Sequence, residues 1–148
     1  MAQTTRSLIL KAVKDRIKEK QGGLFRHVAR GPWNPMNAIF PAAFVTSTGQ
    51  KRSDRINSDA IKGRILSFRI WLDLSANWDR EQDVEDWEDH VQTLIDNLQN
   101  YKAAGGVKRL DYMADEQLEV LLKSGETRQL WSIDFDVEYW EEYAEFGA

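Results

Sequence analysis

Between residues 130 and 140 the chain alternates with period two. Trp131, Ile133, Phe135, Val137 and Tyr139 fall on one side, and Ser132, Asp134, Asp136 and Glu138 on the other. Alternation of this length and regularity marks a strand with one buried and one wet face. Such a strand needs partners in a sheet, and the sheet needs something to cover its apolar side. The rest of the chain must therefore supply both.

The second strand partner is read over residues 64–75. Leu66, Phe68, Ile70, Leu72 and Leu74 share one face, while Ser67, Arg69 and Asp73 take the other, with Ile65 and Trp71 as exceptions. The cover comes from two helical patterns. Residues 5–20 place Ile9, Val13 and Ile17 on one stripe, flanked by Leu10 and Ala12, and turn Lys11, Lys14, Arg16 and Lys18 to water. Thr4 or Thr5 caps this helix, and Gly22-Gly23 stops it. The second helix carries Val84, Trp87, Val91, Leu94, Ile95, Leu98 and Tyr101 on one face. Asp79 with Gln82 has the spacing of a capping box, and Gly105-Gly106 is its expected end.

Shorter strands are expected over residues 24–29, 40–48 and 107–113, with Pro41 at the start or on the edge of the second of these. The two prolines of GPWNPM make that segment an extended or turning loop around Trp33. Residues 115–123 read as a short helix with Leu118, Leu121 and Leu122 on one side. Residues 50–62 are polar, charged and without period, and read as a long exposed loop. The predicted class is α+β: a mainly antiparallel sheet of four to five strands, with two main helices packed on one face. No repeat or linker divides residues 1–148, so one domain is expected.

Composition removes several chemistries. The chain has no Cys, which excludes disulfides, zinc–thiolate sites and thiol catalysis. No stretch is long and apolar enough to span a membrane, and the apolar run at residues 8–10 is too short for a signal-peptide core. There are two histidines; Asp86 and His90 stand four apart on the second helix, but no third ligand accompanies them, and a surface ion pair is expected. Seven acidic residues between Asp79 and Asp89 lack the glycine of a calcium loop and instead suit the start of a helix. No phosphate-binding glycine loop or nucleophile elbow is present. Neither a catalytic nor a metal-binding set is predicted, no cofactor is expected, and the expected function is not enzymatic.

Charge and aromatic content point to partners. Residues 1–70 hold 14 Lys and Arg against 4 Asp and Glu, whereas residues 71–148 hold 6 against 20. Three readings are open: the halves neutralise each other within one molecule, copies associate head to tail, or the basic half touches nucleic acid. Lys51, Arg52, Arg55 and Lys62 form the basic part of the expected loop and are the candidate docking residues. Trp140, Tyr143 and Phe146 near the C-terminus, together with Trp33, are the candidate subunit-interface residues, since aromatics are enriched where proteins meet.

The segments SLILKAVKDRIKEK, FPAAFVTST, RILSFRIWLDLSANW, EDWEDHVQTLIDNLQN and LWSIDFDVEYWEEY, in that order, make the chain resemble the tail terminator proteins of tailed bacteriophages, also called minor tail or tail-completion proteins. That family has no invariant catalytic motif, so the resemblance is one of order and texture, and no residue role is carried over. The resemblance implies a hexameric ring, assembled in the host cytoplasm, at the head-proximal end of the virion tail. It implies contacts with the tail tube protein and the head–tail connector, and DNA passing through the lumen without specific binding. The alternative is a nucleic-acid-binding accessory protein that uses the basic N-terminal half.

Overall fold

A computed structural model describes residues 5–57, 61–74, 76–103 and 107–142; for residues 54–57, 61–62, 108–109 and 141–142 it describes the backbone alone. The elements are α1 (Thr5–Gln21), β1 (His27–Arg30), β2 (Ala42–Asn57), β3 (Ile61–Leu74), α2 (Glu81–Leu98), β4 (Val107–Leu121) and β5 (Thr127–Glu142). The five strands form one sheet in the order β1-β2-β3-β5-β4. β1 runs parallel to β2, and all other neighbours are antiparallel. The α+β expectation holds, with helices on one face of the sheet.

The alternation of β3 and β5 builds the core. Leu66, Phe68, Ile70 and Leu72 meet Val137, Phe135, Ile133 and Trp131 as direct cross-strand partners. The Phe68 and Phe135 rings stack 5.5 Å apart, and both are fully buried. Onto this face α1 lays Ile9, Leu10, Val13 and Ile17, and α2 lays Trp87, Val91, Leu94, Ile95 and Leu98. Each such side chain contributes about 1.5–3 kcal/mol through burial. Two polar ties fix the helix pair: Gln21 Nε2 donates to His90 O at 3.2 Å, and Arg16 Nε to Asn97 O at 3.2 Å.

α1 ends where Gly22 was expected to stop it. A Cβ at Gly22 would lie 2.4 Å from Lys18 O, so only glycine fits there. The ends of α2 differ from expectation. Arg80 occupies the N-cap with no side-chain cap bond, so Asp79 and Gln82 form no capping box. Asp83 Oδ2 instead accepts from Asn77 N at 2.8 Å, and Gln82 donates to Asp86. The helix closes at Leu98, with Asn100 in the left-handed region (φ 64°). Asn tolerates that conformation because its short side chain bonds locally. Gly105 and Gly106 lie outside the described residues.

Two further expectations are corrected. Residues 50–57 and 61–62 are not loop but the outer ends of β2 and β3. They project past the helix-covered part of the sheet as a hairpin arm, and β3 continues to pair with β5 as far as Ile61 opposite Glu142. Its described polar side chains are held by polar contacts: Gln50 accepts from Arg6 of α1 and from the Tyr139 hydroxyl, and the buried Ser53 donates to Glu138, so the sequence shows no apolar alternation there. Likewise residues 115–121 are strand rather than helix, forming the long edge strand β4. The spacing of Leu118, Leu121 and Leu122 fits a helix only when the sheet partner is ignored. The turn at Ser124-Gly125, with Gly125 at φ 88° and Leu122 N bonded to Glu126 O at 2.8 Å, makes a β4–β5 hairpin.

Candidate functional site

The face of the sheet away from the helices is polar, and its side chains engage one another. Arg69 grips Asp134 with two bonds, of 2.7 and 3.3 Å, and lies 5.2 Å from the centre of the Trp71 ring. The Asp134 hydrogen bond and charge hold the Arg69 guanidinium above its ordinary pKa, outweighing desolvation. Ser67 donates to Asp136 at 2.7 Å one register step away. A shallow cleft of about 330 Å³ opens beside Arg69, Trp71 and Glu116. On the opposite, helix-covered face, at the rim of the sheet, Asp115 accepts from the Tyr112 hydroxyl and from Trp131 Nε1, the latter at 2.7 Å. The Asp115 bond, with smaller help from desolvation and the carboxylate charge, pushes the Tyr112 phenol up to about 12.

One end of the polar face holds a buried cluster that sequence reasoning missed. Asp73 is fully buried on β3, and Arg128 is nearly so on β5. Asp73 Oδ2 accepts from Arg128 Nη1 at 2.9 Å, Trp33 Nε1 at 2.8 Å and Asn37 Nδ2 at 3.1 Å. Arg128 Nη2 also donates to Asn37 O at 2.7 Å, and its guanidinium lies 4.5 Å from the Phe40 ring centre. Together these contacts strap residues 31–41 to the sheet. The signal available in the sequence was an aspartate between Leu72 and Leu74, inside an otherwise apolar strand. A buried carboxylate needs a cation.

The sequence candidates fall in different places. Lys51 and Arg52 are exposed on β2; Arg55 and Lys62 sit farther out on the arm, among residues whose backbone alone is described. Trp33 is half-buried, with its indole N–H spent on Asp73. Trp140 is 37% exposed near the end of β5, opposite Gly63. Tyr143 and Phe146 lie outside the described residues. The structure does not bring Trp33 and Trp140 together: one belongs to the strapped loop, the other to the base of the arm. Asp86 accepts from Gln82 at 2.7 Å, while His90 packs edge-on against Trp87. Among the described residues no group of three His, Asp or Glu is placed to hold a metal. No described helix is long and apolar enough to cross a membrane.

The charge asymmetry of the sequence becomes a spatial one. The basic half supplies α1, β1, β2 and most of β3, and the acidic half supplies α2, β4 and β5. Because the strand order is β1-β2-β3-β5-β4, Lys51 and Arg52 lie toward one edge of the sheet. Asp111, Asp115, Glu116 and Glu119 lie on the opposite edge strand. The halves meet along the β3–β5 seam, where Arg69 and Asp134 form a bidentate ion pair. The molecule is therefore electrically polar across the sheet.

No family model matches the chain, and no curated protein matches it. Among solved structures the fold is similar to a chain in the virion of a native gene transfer agent particle. The TM-score is 0.57 with 11% sequence identity, over 95% of this chain and 100% of that one.

Proposed function

We propose that the chain is a structural protein of a tailed-phage or phage-like virion and acts through protein–protein contact rather than catalysis. The observation that carries this reading is the shared fold, which spans nearly the whole of both chains when set against the gene transfer agent virion chain. The finer role we assign is that of a tail terminator. Copies form a hexameric ring at the head-proximal end of the tail, end polymerisation of the tube protein, and meet the head-side connector, with DNA passing through the lumen.

Two features support the ring. A closed ring needs contacts between two different surfaces of one subunit, and a sheet basic toward one edge and acidic at the other offers such a pair. The arm formed by β2 and β3 projects beyond the core, which suits it to reach a second protein along the tail axis. The test is electron microscopy of particles produced without this chain. Overlong tubes unattached to heads are expected. Tails of normal length joined to heads would overturn the assignment.

A further inference from the structure

The sheet has two open edges of opposite character. β1 covers β2 only along residues 42–45, and beyond Val45 the outer side of β2 has no strand neighbour among the described residues. At the other end β4 pairs with β5 alone. Its first part is tied to the end of α2: Tyr112 N donates to Gln99 Oε1 at 3.0 Å, and Asn100 N to Leu110 O at 3.1 Å. Past the bulge between Tyr112 and Ala114 no further strand pairs with β4 on that side among the described residues; Trp78 Nε1 donates to Leu118 O at 3.0 Å.

The register shows which main-chain groups are left over. Leu122 N bonds to Glu126 O, so by antiparallel alternation the even residues 114–120 also bond across to β5. Asp115, Gln117, Glu119 and Leu121 then aim their N–H and C=O groups out of the sheet. Two apolar side chains stand on the same stretch, Leu121 at 71% and Met113 at 56% exposure.

Open edges of this length template pairing with another chain. Charge decides which pairing is allowed. Asp115, Glu116 and Glu119 are exposed on β4, and Lys51 and Arg52 on β2. Two β4 edges repel each other, as do two β2 edges, whereas β4 against β2 attracts. Strand direction agrees. β2 and β5 run one way, β3 and β4 the other. Copies related by rotation therefore present β4 antiparallel to β2. Within one subunit Lys51 is level with Arg109, through Ile65 and Glu138, and Glu116 lies about six residues, roughly 20 Å, farther along. Strands inclined to the ring axis by roughly 35–45°, as in a closed barrel, supply that offset and set the stretch with Lys51 and Arg52 beside the one with Asp115 and Glu116.

We infer that residues 46–52 of β2 in one copy pair antiparallel with residues 113–121 of β4 in the next, joining successive sheets into a continuous belt. The occupant of each edge is a second copy of this chain. The inference rests on the ring reading above and gives it a specific contact. Because the two edges differ, the contact propagates head to tail and closes when the rotation per step divides a full turn. Lys51 and Arg52, at the base of the arm, serve this contact. The outer arm, with Arg55 and Lys62, is left to face the tube or connector.

Charge exchange tests it. Variants K51E/R52E and E116K/E119K change exposed residues, and thermal melting checks that each still folds. Sedimentation of the full chain at low salt reads assembly. Each reversal should raise the concentration needed for assembly by about tenfold, and the four-fold exchange should restore it. Because the chain has no Cys, a K51C/E116C pair treated with a short bismaleimide reports proximity directly. A ladder of multiples beyond dimer is expected from the pair and from neither single variant. Rings that persist in every charge variant, with no ladder, would overturn the edge contact while leaving the ring intact. A parent chain that never assembles and gives no ladder would overturn the contact too. The tail-length phenotype separately decides the terminator role.

Discussion

Replacing Asp73 with Ala should be among the most damaging single changes in this fold. The side chain is fully buried and accepts hydrogen bonds from Arg128, Trp33 and Asn37. Its removal leaves the Arg128 guanidinium, 9% exposed at the side chain, with the exposed Glu126 carboxylate at 3.6 Å in place of its buried partner. Breaking one side of a buried pair costs about 3–5 kcal/mol, against a total stability of roughly 5–15 kcal/mol for a domain. At about 2–4 °C per kcal/mol for a chain of this size, the melting temperature should fall by roughly 6–20 °C. Arg128→Met should lie in the same range, because it strands the buried carboxylate. The double variant removes both charges and should cost less than the sum of the singles by at least about 1 kcal/mol. Urea unfolding followed by tryptophan fluorescence measures all three, and a red shift from Trp33 would show the 31–41 segment leaving the sheet. An Asp73→Ala variant within about 0.5 kcal/mol of the parent, or strict additivity in the cycle, would refute the reasoning.

Three other outcomes follow from named contacts. Trp87, packed against Phe25 at 6.2 Å and 8% exposed, should cost about 3–5 kcal/mol when changed to Ala; a melting temperature within a degree or two of the parent would contradict its place in the core. Gly22→Ala should destabilise by about 1–3 kcal/mol, because the new Cβ would lie 2.4 Å from Lys18 O, and unchanged urea unfolding would show that α1 ends differently. Tyr112 should titrate at about 12, seen as a late phenolate absorbance step that Tyr112→Phe removes. Since its folded pKa is raised above the ordinary 10.0, its contribution to stability is fully present below pH 10 and is lost as pH rises through about 12.

Where a residue's partner was written into local period, the fold was legible. The alternation of β3 and β5 and the stripe of α2 by themselves assign Leu66, Phe68, Phe135, Trp87 and Leu94 to the core, where they lie. Where the partner lay outside the local window, the reading failed. The arm carries strand geometry because β5 extends alongside β3, and Gln50 and Ser53 are held there by polar partners rather than by an apolar face. β4 was split into strand and helix because an edge strand buries few side chains, so its exposed pattern does not reveal its pairing. The Asp73–Arg128 strap joins residues 55 apart in sequence, and it hid behind the assumption that the polar positions of β3 face water. Lys51 and Arg52 stood out by charge as docking candidates, but their position on an edge opposite an acidic one needed the strand order.

In the proposed ring, copies of this chain join head to tail and close. Native mass measurement, with negative-stain imaging of the same sample in the presence and absence of purified tail tube, distinguishes this arrangement from any other. A species of six chain masses is expected, seen as a ring with an open centre, free or seated on the tube end. A chain that remains monomeric, or stops at a two-fold dimer, even with the tube present would contradict it.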